Sequence, residues 1–207
     1  MENKPIKKVL LLPAGSTKTA ALAEWLQNLY RTTEAPPVLV GGSAVELYTG
    51  GAYVTGDMDF VGTVPAPVGK ALSDAGFTRH GRHWIHEEGK VFLEFPSASL
   101  SSSEKAVERL FHGHRILIVS PEDLLADRLS AWKHWESELD GVNAYLLYRA
   151  LVKDLDHGRI KNRCYEEDVY DAFMSLQSFF KKHQGEMPDS RDLEEWARCG
   201  AGKEGAR

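Results

Sequence analysis

Apolar positions in the first part of the chain recur with two different periods. Leu22, Trp25, Leu26 and Leu29 return every three or four residues, which predicts a helix running on from the segment Gly15-Ser16-Thr17-Lys18-Thr19. That segment lacks the glycine, four-residue spacer and Gly-Lys-Ser/Thr of a phosphate loop, so it reads as a helix cap. Residues 6–12 predict a short strand, 38–40 a short buried strand, and 43–48 a helix that starts directly after two glycines. Residues 57–61 predict a second strand and 67–74 a second short helix. Residues 83–95 carry β-type side chains on both sides of Gly89 and predict a hairpin, and 116–119 one further strand. The serines within 97–104 read as a loop whose last members cap a helix.

From Ser120 the pattern is helical alone. Ser120 is the expected N-cap, Pro121 stands at the first helical position, and acids follow in the first turn. Residues 142–155 and 168–180 repeat the helical spacing, and Asp140 before Gly141 reads as an ordinary N-cap. Trp132, Trp135, Phe173, Phe179 and Phe180 occur at helical spacing, which predicts core packing. The expected organisation is an α/β domain over residues 1–119, a helical domain over 120–198 and a flexible Gly-rich tail over 199–207.

Composition narrows the function classes. The 207 residues are enough for a core without disulfides, and the two cysteines, Cys164 and Cys199, have no metal-ligand spacing. They read as free thiols of a reducing compartment, so a cytoplasmic protein is expected. No apolar run reaches membrane length, and no membrane partner is expected. A net charge of −5 argues against a global field for nucleic acid, while leaving room for a local basic patch. His80, His83 and His86 lie in a turn-rich hairpin, with His83 and His86 on opposite faces, so no zinc site is expected.

The candidate chemistry lies in residues 36–62. A strand that stops at Gly41-Gly42 and feeds a helix presents backbone N–H groups at a positive helix end, where a phosphate can approach closely. Ser43 can cap that helix or touch a phosphate oxygen. Alternation on the following strand puts Asp57 and Asp59 on one face and Met58 and Phe60 on the other. Two carboxylates that close repel unless a cation offsets them, and magnesium binds through one or two carboxylates together with phosphate oxygens. The bland alternative is an ordinary turn followed by solvated acids on an edge strand.

Val40-Gly41-Gly42-Ser43, the spacer from Ala44 to Gly56, and then Asp57-Met58-Asp59-Phe60 resemble the signature of the nucleotidyltransferase superfamily that includes DNA polymerase beta and kanamycin nucleotidyltransferase. The resemblance implies an α/β (α+β) fold, a nucleotidyltransferase-type mixed sheet flanked by helices with a helical domain after it. It implies Mg2+ or Mn2+ held by Asp57 and Asp59, and a nucleoside triphosphate positioned by Gly41, Gly42 and Ser43. Its third carboxylate maps to Glu94 in Val91-Phe92-Leu93-Glu94-Phe95, as general base or second-metal ligand; the alternative is an outward glutamate on a hairpin. The implied reaction moves a nucleoside monophosphate to a hydroxyl of RNA, a protein or a small molecule.

A second resemblance covers more of the chain. Residues 53–60, 116–132 and 138–147 look similar to bacterial AbiEii-type proteins of abortive-infection and toxin-antitoxin systems. Thr55 and the two acids match, Tyr53 takes the place of an arginine, Arg128 that of a basic helix residue, and Asp140 with Asn143 that of the last motif. On a helical wheel Arg128 falls in the stripe of Leu125, Leu129 and Trp132, so its guanidinium needs an anion. That anion is a triphosphate, or else Asp140 or Glu94 in a structural pair. Lys133 lies off the stripe and ranks behind Arg128 as a second cation for the nucleotide. The rival function class is a non-catalytic binding module on the same fold, one partner of a toxin-antitoxin or abortive-infection pair.

Overall fold

The structure, a computed structural model, describes residues 6–32, 35–184 and 186–200. The chain divides into two compact units between Ser120 and Pro121.

In the first unit the elements run α1 (Ile6–Leu10), α2 (Ser16–Asn28), β1 (Val38–Val40), α3 (Gly41–Tyr48), β2 (Asp57–Val61), α4 (Ala66–Asp74), β3 (Thr78–His80), β4 (His83–His86), β5 (Val91–Glu94), β6 (Ala106–Phe111) and β7 (His114–Val119). The strands form one mixed sheet in the order β3-β4-β5-β2-β1-β7-β6. β2 is parallel to β5 and antiparallel to β1, which in turn is parallel to β7. The two acids therefore stand on an interior strand, which removes the edge-strand alternative. Helices α2 and α3 pack on β7 and β2. Leu39, Phe60, Leu93, Ile116 and Ile118 are fully buried in this unit.

Several expectations are corrected here. Residues 6–12 begin as a single helical turn, not a strand: Lys7 and Lys8 are exposed and only Val9 is buried. The ammonium of Lys18 donates to the carbonyl of Leu10 at 3.0 Å, closing the negative end of that turn. The helix expected at 43–48 starts at Gly41, so the glycines form its first turn. The serine segment caps no helix. It turns at Ser101–Glu104, where Glu104 N–H donates to the carbonyl of Ser101, and runs into β6. Strand β6 has hardly any buried side chain, so it carries no apolar alternation to betray it. Its partner β7 supplies the pairing through a turn at His112-Gly113, both with positive φ, the geometry that suits the twist of a two-residue hairpin.

The second unit holds α5 (Pro121–Trp135), α6 (Glu138–Leu151), α7 (His157–Glu166), α8 (Tyr170–Lys182) and α9 (Ser190–Cys199). Trp132, Tyr145, Ile160 and Leu176 form its core, and the indole N–H of Trp132 donates to the carbonyl of Ala197 at 2.7 Å. Trp135 is not core: it is the last residue of α5 and 82% exposed. Asp140 is not the N-cap of α6; Ser137, three residues earlier, accepts from its N–H. Asp123 is fully buried and binds Arg159 and Arg163, joining α5 to α7. The tail expected from residue 199 begins with the last residue of α9, and residues 201–207 lie outside the described residues.

Candidate active site

Strand register decides what the acids can do together. Val40 is the partner of Asp59 across β1–β2, and Glu94 is its partner across β2–β5. Asp59 and Glu94 therefore project from one face of neighbouring strands, and Asp57, two residues earlier, shares that face. Burial follows the alternation: Met58 and Phe60 are buried, Asp57 is exposed and Asp59 half-buried.

Gly41 explains the depth of Asp59. A Cβ built on Gly41 would stand 2.2 Å from Oδ2 and 3.1 Å from Cβ of Asp59, so only a glycine lets the carboxylate rest against this backbone. Its φ of +64 also lies in the left-handed region. The N-cap of α3 is Val40, with no side-chain cap bond. The first N–H groups of a helix lack partners within it, so Asp59 brings its negative charge to the positive end of α3.

The loop before β2 is held from three sides. Ser43 is buried and its hydroxyl donates to the carbonyl of Asp57 at 2.8 Å, which ties α3 to the start of β2; it caps no helix end. Thr55 and Tyr53 crowd Gly42, where an added Cβ would meet Thr55 Oγ1 at 3.2 Å and Tyr53 Cε1 at 3.4 Å. Beneath them lies Glu46, fully buried, accepting from the Thr19 hydroxyl at 3.2 Å and the Thr55 N–H at 3.4 Å. Burial pushes the Glu46 carboxyl above its ordinary value, and these two bonds pull it back only in part. Glu46 had no signature of its own beyond an acid inside the apolar helix Ala44-Val45-Glu46-Leu47-Tyr48.

Glu94 is not alone on its strand end. Arg82 reaches Oε1 at 2.8 Å and His83 approaches Oε2 at 3.8 Å. The hairpin register His83↔Glu94 brings both groups to this carboxylate. Spacing within the hairpin could have revealed the pair, since the residue just ahead of β4 must face the end of β5.

The two cations expected at the nucleotide belong to the helical unit. Arg128 is paired with Asp127 at 2.5 Å and Asp140 at 2.6 Å; of its two expected carboxylates, Asp140 is the partner. Lys133 donates to the carbonyl of Asp168 at 2.5 Å and to Asp171 at 2.8 Å. Burial alone would raise the carboxyl of Asp171, but the Lys133 ammonium together with the backbone N–H groups of Ala172 and Asp171 more than offsets it, and the group sits below its ordinary value. Asn143, in the last of the motifs, is buried in α6.

No protein-family model matches this sequence, and no curated protein matches it. Among solved structures, that of an antigenic nucleotidyltransferase-like protein from Paracoccidioides brasiliensis superposes with a TM-score of 0.53 at 13% identity, over 90% of this chain and 95% of that one. The fold is nucleotidyltransferase-like. The mixed α/β architecture expected from the alternating helix and strand patterns, and implied by the resemblance, is the one observed. No helix among the described residues is long and apolar enough to cross a membrane.

Proposed function

We propose that this chain transfers a nucleoside monophosphate from a nucleoside triphosphate to a hydroxyl acceptor, with Mg2+ or Mn2+ at Asp57 and Asp59. The observation that carries the reading is the row Val40, Asp59, Glu94, in which one carboxylate rests on Gly41 and the other stands on the neighbouring strand, with Asp57 on the same face. Among the described residues no three His, Cys, Asp or Glu side chains already form a metal cluster. Two carboxylates nonetheless fit an ion that takes its remaining ligands from polyphosphate and water. When bound, such an ion supplies charge neutralisation at the phosphates.

The chain's own residues would do the rest. The first-turn N–H groups at Gly41 and Gly42 orient phosphate oxygens at the positive end of α3. The ionised carboxylate of Glu94 takes the proton of the attacking hydroxyl as the new O–P bond forms and pyrophosphate leaves, and Arg82 holds that carboxylate in place. Most of the rate gain then comes from placement and electrostatics. Arg128 and Lys133, the cations expected for the nucleotide, are held by Asp140 and Asp171 within the helical unit. The acceptor is a hydroxyl of RNA, a protein or a small molecule, and the setting a cytoplasmic one.

A second reading is favoured by the Arg82–Glu94 pair and by the Ser43 hydroxyl being bonded to the chain itself. Here the chain is a non-catalytic module of the AbiEii type, one partner of a toxin-antitoxin or abortive-infection pair. Incubation with Mg2+ or Mn2+, each labelled nucleoside triphosphate and a cell extract separates the two. Label transfer that disappears in Asp59→Asn supports the enzyme. Metal-dependent nucleotide binding without transfer supports the module, and absence of both overturns both readings.

A further inference from the structure

A cavity of about 370 Å³ lies in the first unit at the start of β2: Met58 and Val91 line it from the face opposite the acids, while Ser43, Thr55, Gly56 and Phe92, the partner of Asp57 across β2–β5, close its other side. Its volume is within the range of small-molecule sites. Leu10, Leu22, Met58 and Val91 make an apolar wall. Thr19 and Thr55, the two partners of Glu46, lie on the same lining. Two lysines complete the lining, Lys18 on α2 and exposed Lys90 in the turn between β4 and β5.

Lys18 is set apart by its partial burial and its two carbonyl partners. Lys70 and Lys133 each reach a carboxylate, at 2.5 Å and 2.8 Å. Lys18 and Lys90 form no ion pair among the described residues, although both face a cavity whose one acidic lining residue, Glu88, is exposed. Lys18 is half-buried, and its ammonium donates to two carbonyls, Leu10 at 3.0 Å and Gly89 at 3.2 Å. Those two bonds hold the charge at the cavity edge and leave one of its three donors over. A partly desolvated cation in that state gains from an anion far more than a fully hydrated one.

We propose that this cavity binds a small amphipathic anion, a phosphate monoester or a carboxylate on an apolar body, with the anionic group between Lys18 and Lys90 and the body against Leu22, Met58 and Val91. Thr55 belongs both to this lining and to the loop that leads into Asp57, so an occupant would contact the segment that presents the acid face. Binding needs no metal, which keeps this inference separate from the reading of the acid site.

The test is calorimetric titration of the full chain in EDTA with three probes: phenyl phosphate, octanoate and inorganic phosphate. Saturable one-to-one binding of phenyl phosphate or octanoate is expected, at least tenfold tighter than inorganic phosphate; which of the two binds assigns the anionic group. Lys18→Met is expected to weaken it about tenfold. Because Lys18 also ties α1 to the β4–β5 turn, exposed Lys90→Gln serves as a second variant, expected to weaken binding several-fold without a change in melting temperature. The proposal is overturned if neither organic probe binds, if inorganic phosphate binds as tightly as they do, or if both variants bind like the parent.

Discussion

Replacing Gly41 by alanine sets two costs against one small gain. The residue has φ of +64, and a left-handed conformation costs an L-residue about 1–2 kcal/mol. The new methyl would also stand 2.2 Å from Asp59 Oδ2 and 3.1 Å from Asp59 Cβ. Turning the carboxylate away relieves the first contact but not the second, so strand β2 or the start of α3 has to shift, an overpacking cost of about 1–3 kcal/mol. Against this, alanine narrows the unfolded ensemble by about 0.4–1 kcal/mol. The net expectation is a loss of about 2–4 kcal/mol, a fall in melting temperature of roughly 5–15 °C. Gly42 is the internal control. Its φ is ordinary and its nearest neighbour, the Thr55 hydroxyl, is 3.2 Å from the added Cβ, so the gain in helix propensity, about 1 kcal/mol, offsets mild crowding. Scanning calorimetry of Gly41→Ala beside Gly42→Ala checks the contrast. Equal melting temperatures would refute the claim that Asp59 is seated on the Gly41 backbone.

Three further outcomes follow from buried groups. Glu46 has its carboxyl raised by burial, so the folded state binds the proton more tightly; stability is full below the ordinary carboxylate range and falls as pH rises through the raised value. Denaturant midpoints across that range should therefore decline in the parent and stay flat in Glu46→Gln, and parallel curves would contradict the assignment. Burial pushes the Cys164 thiol up to about 12, whereas Cys199 is exposed. A thiol reagent at pH 8 should titrate one cysteine in the native protein and two in denaturant, and two rapid native thiols would be inconsistent with this core. Asp123→Asn removes the carboxylate shared by Arg159 and Arg163 and should lower stability by about 3–5 kcal/mol, read as an earlier melting transition; an unchanged transition would show that the network carries little.

What could be read from the chain was whatever a local period or a backbone requirement writes into it. Asp57–Val61 alternates so strictly that its strand, its faces and its bounds are all legible, and the hairpin around Gly89 is nearly so. The elements that escaped carry weak local patterns. β6 is an outer strand with almost no buried side chain, and α7 buries only Ile160, Arg163 and Cys164. β3 is three exposed residues paired with β4 at the outer end of the sheet.

The candidate site divides in the same way. Alternation alone puts Asp57 and Asp59 together, but their company is set by contacts between elements, of which hairpin spacing and the helical wheel record only some. Arg82 takes Glu94 through hairpin register, Ser43 turns to the Asp57 carbonyl, and Asp140 reaches Arg128 because Ser137 had already taken the capping position. Trp135 illustrates the converse, an aromatic at helical spacing that stays outside because α5 ends on it.

The central claim is that Asp57 and Asp59 form a cation site completed by a polyphosphate. Its most direct test is a titration of Mn2+ followed by electron paramagnetic resonance, with and without a non-hydrolysable nucleoside triphosphate, in the parent and in Asp59→Asn. The account predicts weak Mn2+ binding by the protein alone, strong loss of the free-ion signal beyond that of the nucleotide itself when both are present, and abolition of that excess in Asp59→Asn. An excess that is absent in the parent, or that persists undiminished in the variant, would contradict it.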